Sequence, residues 1–108
     1  MENGITEPEA INLIGCVEYA RDSVVSKTMV DKKAGTITLF AFDESQGLSE
    51  HIAPFDAIVQ ILDGEAEFTI GGNPVKLHAG QMVIMPANIP HSVKATKKFK
   101  MLLTMIRD

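Results

Sequence analysis

The chain has 108 residues, of which 45% are hydrophobic and 22% are charged, and this composition is typical of a compact globular protein and excludes a disordered chain. Its 10 basic and 14 acidic side chains give a net charge of −4, so no electrostatic feature favours binding to nucleic acid or to an anionic membrane. The single cysteine, Cys16, excludes an intramolecular disulfide. Because no apolar run approaches the ~20 residues of a spanning helix, we expect a cytoplasmic protein folded as one domain over residues 1–108.

The N-terminal part of the chain carries its one helical pattern. Thr6 and Glu9 have the spacing of a capping box, which predicts a turn or a short helix within residues 1–11. β-Branched residues dominate much of the chain that follows, as in residues 36–39, and turn residues separate these runs. This pattern is typical of strands.

A tight turn is predicted in the middle of the chain, at Asp63-Gly64. Two strand-like segments, residues 57–62 and 65–70, flank this pair, and an Asp-Gly pair tolerates the positive φ angles of a hairpin turn. In residues 65–70 polar and apolar side chains alternate, which predicts one solvent-exposed face and one core face. Residues 57–62 are apolar on both faces except at Gln60, which predicts a central strand or an oligomer interface.

The rest of the chain predicts a series of short strands. Turn residues separate residues 75–77, 82–85, 91–95 and 99–106 from one another. The whole chain therefore predicts about nine or ten short strands, which is typical of a β-sandwich or a small barrel. A short basic run near the end is predicted to form a solvated turn: Lys94, Lys97, Lys98 and Lys100.

The middle of the chain resembles the first motif of the cupin family. That motif consists of a glycine, five residues, His-x-His, three or four residues, a glutamate, six residues and a second glycine. We take Gly64 as the second glycine of the motif and count back from it. A serine then occupies the position of the first glycine, and a histidine occupies that of the first histidine. Alanines occupy the positions of the second histidine and the glutamate. These positions are occupied by Ser45, His51, Ala53, Ala57 and Gly64.

A second segment resembles the second cupin motif, in which glycine, proline, glycine, histidine and asparagine recur at fixed spacing. Gly80, Pro86 and His91 match, whereas Asn88 and Ala95 replace the inner glycine and the final asparagine. The resemblance covers residues 36–106. It implies a small single-domain RmlC-like cupin of the short prokaryotic type, with an all-β double-stranded β-helix, the cupin jelly-roll barrel. It also implies a homodimer.

In cupins these motif positions hold a divalent transition metal inside the barrel, and the resemblance implies His51 and His91 as metal ligands here. Alanine cannot coordinate a metal, so Ala53 and Ala57 leave the ligand set incomplete and imply weak or no metal binding. Alanines also leave room for a ligand. The residues expected to line the binding cavity are Ala53, Ala57, Val59, Val93 and Ala95.

Two further groups of residues are candidates for the cavity. Asp56 supplies a third metal ligand only if Pro54-Phe55 forms a bulge that turns its carboxylate inward; otherwise Asp56 is a solvated or capping residue. Aromatic and methionine side chains are candidates for an apolar pocket, although most are expected in the core. They are Phe40, Phe42, Phe55, Phe68, Met29, Met82, Met85, Met101 and Met105.

Three functions are compatible with the sequence. In the first, the barrel binds a small organic ligand, with His51 and His91 as polar contacts and weak or no metal. The alternative is a metal-dependent cupin enzyme of the dioxygenase, decarboxylase or isomerase type, in which the metal acts as a Lewis acid or binds oxygen. In the third, the surface of the homodimer is the working part. Ala53 and Ala57 favour the first function.

Overall fold

The computed structural model describes residues 8–107, which form eight strands and one 3-10 turn, Ile14–Cys16. Thr6 of the predicted capping box lies outside the described residues, and residues 8–12 contain no helix. No helix in the described part of the chain is long and apolar enough to cross a membrane. The strands are β1 (Val24–Lys32), β2 (Gly35–Phe42), β3 (Gly47–His51), β4 (Asp56–Ile70), β5 (Asn73–His78), β6 (Met82–Met85), β7 (His91–Lys94) and β8 (Phe99–Ile106).

The strands form two antiparallel sheets that share β4. The first sheet contains β1, β2, β8, the first half of β4 and β6. The second sheet contains β3, β7, the second half of β4 and β5. Together they curl around one core, so the predicted all-β double-stranded β-helix, a jelly-roll barrel, is confirmed.

Aromatic rings fill one end of the space between the sheets. Phe42 and Phe99 stack with centroids 4.5 Å apart, and Phe68 meets Phe99 edge-on at 6.4 Å. Phe99 begins β8, whereas Met105 lies near the other end of that strand. The core is therefore closed at the Phe99 end, and the candidate site lies towards the Met105 end.

The hairpin predicted at Asp63-Gly64 is wrong, because β4 runs through this pair without reversing direction. Buried residues fall at odd positions such as Ala57 in its first half, and at even positions such as Ala66 in its second half. A register shift against β8 after Ile61, followed by Gly64 at φ +77°, produces this change of phase. The turn-forming pair is part of a β-bulge that passes the strand from one sheet to the other.

Replacing Gly64 with alanine should destabilise the protein strongly. The backbone of Gly64 is left-handed, and an added Cβ would overlap the carbonyl oxygen of Lys98. We expect the free energy of unfolding to fall by about 3 kcal/mol, of which roughly 1–2 kcal/mol comes from the left-handed backbone. Gly72→Ala is the matched control, because Gly72 has φ +84° and nothing within 4 Å of the added Cβ. Equal losses in urea denaturation of the two variants would contradict the close approach at Gly64.

Residues 13–19 cover part of the outer face of the first sheet. Val17 forms a second apolar cluster there with Leu39 and Ala41. Lys100 lies beside this segment, is 6% exposed, and donates a 2.7 Å hydrogen bond from Nζ to the carbonyl oxygen of Ile14. The solvated environment predicted for Lys100 is therefore wrong, because its ammonium group holds the N-terminal segment against the sheet.

Tyr19 joins the same segment to the bulge in β4. Its hydroxyl donates a 2.6 Å hydrogen bond to Oδ2 of Asp63, and Nζ of Lys98 and Lys100 lie 4.9 and 5.0 Å from its ring centroid. Burial of the hydroxyl, together with Asp63, raises the pKa of Tyr19 well above its usual value. Ionisation of Tyr19 would therefore break its hydrogen bond to Asp63.

Tyr19→Phe should reduce the free energy of unfolding by about 1–2 kcal/mol at neutral pH, because it removes a hydrogen bond to a carboxylate. Tyrosine in the unfolded chain titrates near pH ~10, and the raised pKa means that the folded protein holds this proton to higher pH. The contribution is therefore complete below pH ~10 and decreases as pH rises above it. Denaturation of both proteins between neutral and alkaline pH tests this, and a stability difference that stays constant above pH ~10 would contradict it.

Candidate functional site

Two histidines meet at one side of the space between the sheets. His51 ends β3 and His91 begins β7, and the two residues are direct register partners. Their Nε2 atoms lie 3.0 Å apart and their ring planes are inclined by 71°. The His91 side chain is 7% exposed, whereas His51 is exposed. The pair therefore lies at the boundary between the barrel interior and the protein surface.

The other ring nitrogens of the two histidines are held by backbone carbonyl groups. Nδ1 of His51 lies 2.8 Å from the carbonyl oxygen of Ser49, and Nδ1 of His91 lies 3.1 Å from that of Ile89. Because a carbonyl oxygen only accepts hydrogen bonds, each Nδ1 carries the proton and each neutral ring has its lone pair on Nε2. Two lone pairs that face each other favour a cation, either a shared proton or a metal ion.

The spacing of the two Nε2 atoms limits the geometry of any ion that they share. Two nitrogens 3.0 Å apart, each at a typical metal–imidazole distance of ~2.1 Å, subtend about 90° at the ion. This angle suits neighbouring positions of a coordination sphere and excludes linear two-coordination. An ion bound by both histidines therefore needs donors on its remaining sides.

A cavity of about 200 Å³ lies beside the histidine pair. Most of the surface that lines it is apolar and includes the rings of Phe40 and Phe68. No aspartate, glutamate, lysine or arginine is among the lining residues. The lining residues that carry a side-chain nitrogen, oxygen or sulfur are His51, His91, Ser92, Met85, Met101 and Met105.

The structure places three of the five residues expected to line the cavity at its wall: Ala53, Ala57 and Val93. Ala53 lies in the loop after β3, and its carbonyl oxygen accepts a hydrogen bond from the backbone N–H of Asn88. Val59 is buried in the core, two residues beyond Ala57 along β4. Ala95 follows β7 and pairs with the loop before β3. The structure does not bring Val59 or Ala95 to the cavity.

Asp56 lies outside the cavity. Its side chain is exposed, and Oδ1 accepts a 2.9 Å hydrogen bond from the backbone N–H of Ala87. It therefore has the capping role that was the alternative to metal binding, since Pro54-Phe55 does not turn the carboxylate towards the histidines. Within residues 8–107, no group of three or more His, Cys, Asp or Glu side chains has the arrangement of a metal site. The residues present do not fit the metal set of three histidines and one glutamate.

The backbone supports the positions assigned to the two motifs. Gly64 and Gly80 have φ of +77° and +93°. Ser45 and Asn88 stand where the motifs have glycine, and they keep left-handed backbones with φ of +73° and +65°. All four positions thus have a left-handed backbone, although two of them do not carry glycine.

Met85 and Met105 were predicted only as members of a larger set of apolar candidates, and the sequence did not distinguish them from the rest of that set. Both line the cavity, and each is the register partner of Ala57, Met85 from β6 and Met105 from β8. Leu103 also lines the cavity and was not predicted there. The period-two alternation of Met101, Leu103 and Met105 indicates a shared face, but does not show which strands lie beside β8.

Comparisons with known proteins connect this geometry to a family. The protein-family model described as "Cupin domain" matches residues 38–107. A conserved protein of unknown function from Streptococcus pyogenes is 36% identical, with a TM-score of 0.92 over 99% of this chain and 94% of that one. A Cupin 2 conserved barrel domain protein from Leptotrichia buccalis is 41% identical, with a TM-score of 0.88 over 90% of this chain, which spans 47% of that protein. No curated protein sequence gives a significant match.

Proposed function

This chain belongs to the cupin family, and we propose that it is a small-molecule-binding cupin. One observation carries the proposal: two imidazoles converge at one side of a cavity whose wall is otherwise almost entirely apolar. Cavities of this kind bind a ligand through apolar contact and orient it through a few polar groups. His51 and His91 are the polar groups here.

The size and lining of the cavity limit the class of ligand. A dry apolar cavity of roughly 150 Å³ accommodates benzene, so a cavity of about 200 Å³ suits a single ring with one small substituent or a short branched chain. The Nε2 lone pairs of the histidine pair accept hydrogen bonds, so the polar end of the ligand is expected to carry a hydroxyl, an N–H or an acid proton. The ligand class is therefore a small, mainly apolar molecule with one hydrogen-bond donor.

The donor set favours binding over metal-dependent catalysis. Catalytic sites for zinc or mononuclear iron generally use three protein ligands, whereas the cavity wall offers two imidazoles and no carboxylate. A divalent ion held by His51 and His91 alone would fill its remaining positions with water or ligand and would bind weakly. The proposed role therefore does not require a divalent metal.

Thermal unfolding with a panel of single-ring phenols, benzyl alcohols and benzoic acids tests the proposed function. A ligand at about 100 times its Kd adds about 2.7 kcal/mol to the free energy of unfolding and should raise Tm by roughly 10 °C or more. Larger bicyclic compounds with the same polar group are the control, because their volume exceeds that of the cavity. The proposal fails if no single-ring compound raises Tm, or if the bicyclic compounds raise it equally.

We further propose that the chain forms a homodimer through the outer face of the first sheet. In the described part of the chain, Met82, Ile84 and Ile106 on this face are 52%, 55% and 47% exposed. Ile58 pairs directly with Ile84. Exposed apolar patches of this kind typically mark protein–protein contacts.

Ile84→Lys should convert the dimer into a monomer, because it places a charge within the proposed contact. Size-exclusion chromatography with light scattering measures the mass of each species. Ile89→Lys, in the loop before β7, is the control and should remain dimeric. A wild-type protein that is monomeric at all concentrations, or an Ile84→Lys variant that is still dimeric, would contradict the proposed interface.

A further inference from the structure

Methionines are concentrated at the cavity. Three of the six methionines of the chain line it: Met85, Met101 and Met105. Leucine and valine would give an equally apolar wall, but a thioether is more polarisable than a hydrocarbon and makes favourable contacts with aromatic rings. The arrangement of these methionines therefore bears on the kind of apolar group that the cavity accepts.

A slot crosses the wall of the cavity at Ala57. This residue pairs with Met85 of β6 on one side and with Met105 of β8 on the other, and all three residues line the cavity. Directly paired residues project to the same face, and neighbouring strands lie about 4.8 Å apart, so the two methionines stand about 10 Å apart across a single methyl group. A group centred over Ala57 thus lies about 5 Å from each methionine side chain.

Branched side chains close the slot at one end. The next row along the same three strands consists of Val83, Val59 and Leu103, of which Val59 is completely buried. Successive rows on one face of a sheet are about 6.7 Å apart, so a ring that lies over Ala57 meets this row and cannot move further along β4. The slot therefore holds a flat group at one defined position.

We propose that this slot is a subsite for an aromatic ring, and that Met85 and Met105 make the cavity selective for aromatic over saturated ligands. In favourable sulfur–aromatic contacts the sulfur lies about 5 Å from the ring, often at its edge, and the slot offers two methionine side chains at about that distance. Methionine is also unbranched, so both side chains can adjust to the plane of the ring. The inference rests on the proposed function, because it defines which small molecules the same cavity prefers.

Benzyl alcohol and cyclohexylmethanol are the probes that test the subsite, since both carry one hydroxymethyl group on a six-membered ring. The saturated ring has somewhat more apolar surface, so the hydrophobic effect alone would favour cyclohexylmethanol. Titration calorimetry of the wild-type protein should nevertheless show roughly tenfold tighter binding of benzyl alcohol, because each of the two sulfur–aromatic contacts contributes roughly a threefold preference.

Met85→Leu/Met105→Leu should remove this preference and leave the affinity for cyclohexylmethanol within about twofold of the wild-type value. Leucine is close to methionine in volume, so the fold and the cavity should be retained. Either substitution alone should reduce the preference to roughly threefold. Met82→Leu is the matched control and should keep the full preference, because Met82 is 52% exposed on the outer face of β6.

Two results would overturn the subsite and leave the proposed function standing. The first is equal or tighter binding of cyclohexylmethanol to the wild-type protein. The second is a preference for benzyl alcohol that persists in the double methionine variant, since it would then come from the shape of the cavity and not from the thioethers. If neither probe binds, the subsite is also overturned, and the thermal shifts with the wider panel decide whether the proposed function falls with it.

Discussion

Restoring two cupin ligands with Ala53→His and Ala57→Glu is expected to turn the cavity into a strong site for a divalent transition metal. Both alanines line the cavity beside His51 and His91, so the new side chains would complete a set of three histidines and one carboxylate. Loss of an outer-sphere partner alone typically costs 10–100-fold in metal affinity, so two added direct ligands should raise affinity by roughly 100-fold or more. The metal retained after dialysis against a chelator measures the effect.

Gln60→Glu is the matched control for the restored glutamate. It adds a carboxylate to the same strand at an exposed position, and should retain no more divalent metal than the wild type. A double variant that folds but retains no metal would show that Ala53 and Ala57 do not occupy the motif positions assigned to them. Near-stoichiometric divalent metal in the wild-type protein would show that it has a ligand beyond the histidine pair.

Filling the cavity with Ala57→Leu is expected to abolish binding of small organic ligands. Ala57 is buried, and its methyl group forms part of the cavity wall between Met85 and Met105. A larger side chain takes up space that the ligand needs, so we expect affinity to fall by roughly tenfold or more. Titration calorimetry with the compound that gives the largest rise in Tm measures the loss.

Gln60→Leu serves as the control for this substitution, since it adds the same side chain to the exposed face of β4. It should bind the compound with wild-type affinity. If Ala57→Leu, shown to be folded by its circular dichroism spectrum, also binds with wild-type affinity, then the ligand does not occupy the cavity.

Much of the fold follows from local sequence features. Turn residues set the limits of β8 at residues 99–106 and of β6 at residues 82–85, as predicted. Turn residues gave the wrong prediction at Asp63-Gly64, because a left-handed glycine is compatible with both a hairpin turn and a β-bulge. Only the contact with β8, distant in sequence, distinguishes the two. It is also the reason that one strand, β4, replaces two predicted ones.

The candidate site was only partly accessible from the sequence. His51 and His91 were identified because they stand at motif positions, and the structure brings their Nε2 atoms to 3.0 Å. The placement of Met85 and Met105 around Ala57 depends on how β4, β6 and β8 align, and nothing local to either methionine encodes that register. The metal-ligand role assigned to the two histidines stays a prediction.

The spectrum of methyl-labelled methionine, recorded while a single-ring ligand is added, tests most directly whether the cavity is a binding site. We expect saturable shifts of the methyl signals of Met85, Met101 and Met105, which line the cavity. The signals of Met29 and Met82, whose side chains lie outside it, should not move. Shifts confined to Met82, or no saturable shift of any cavity methionine with any compound of the panel, would show that the cavity is not the binding site.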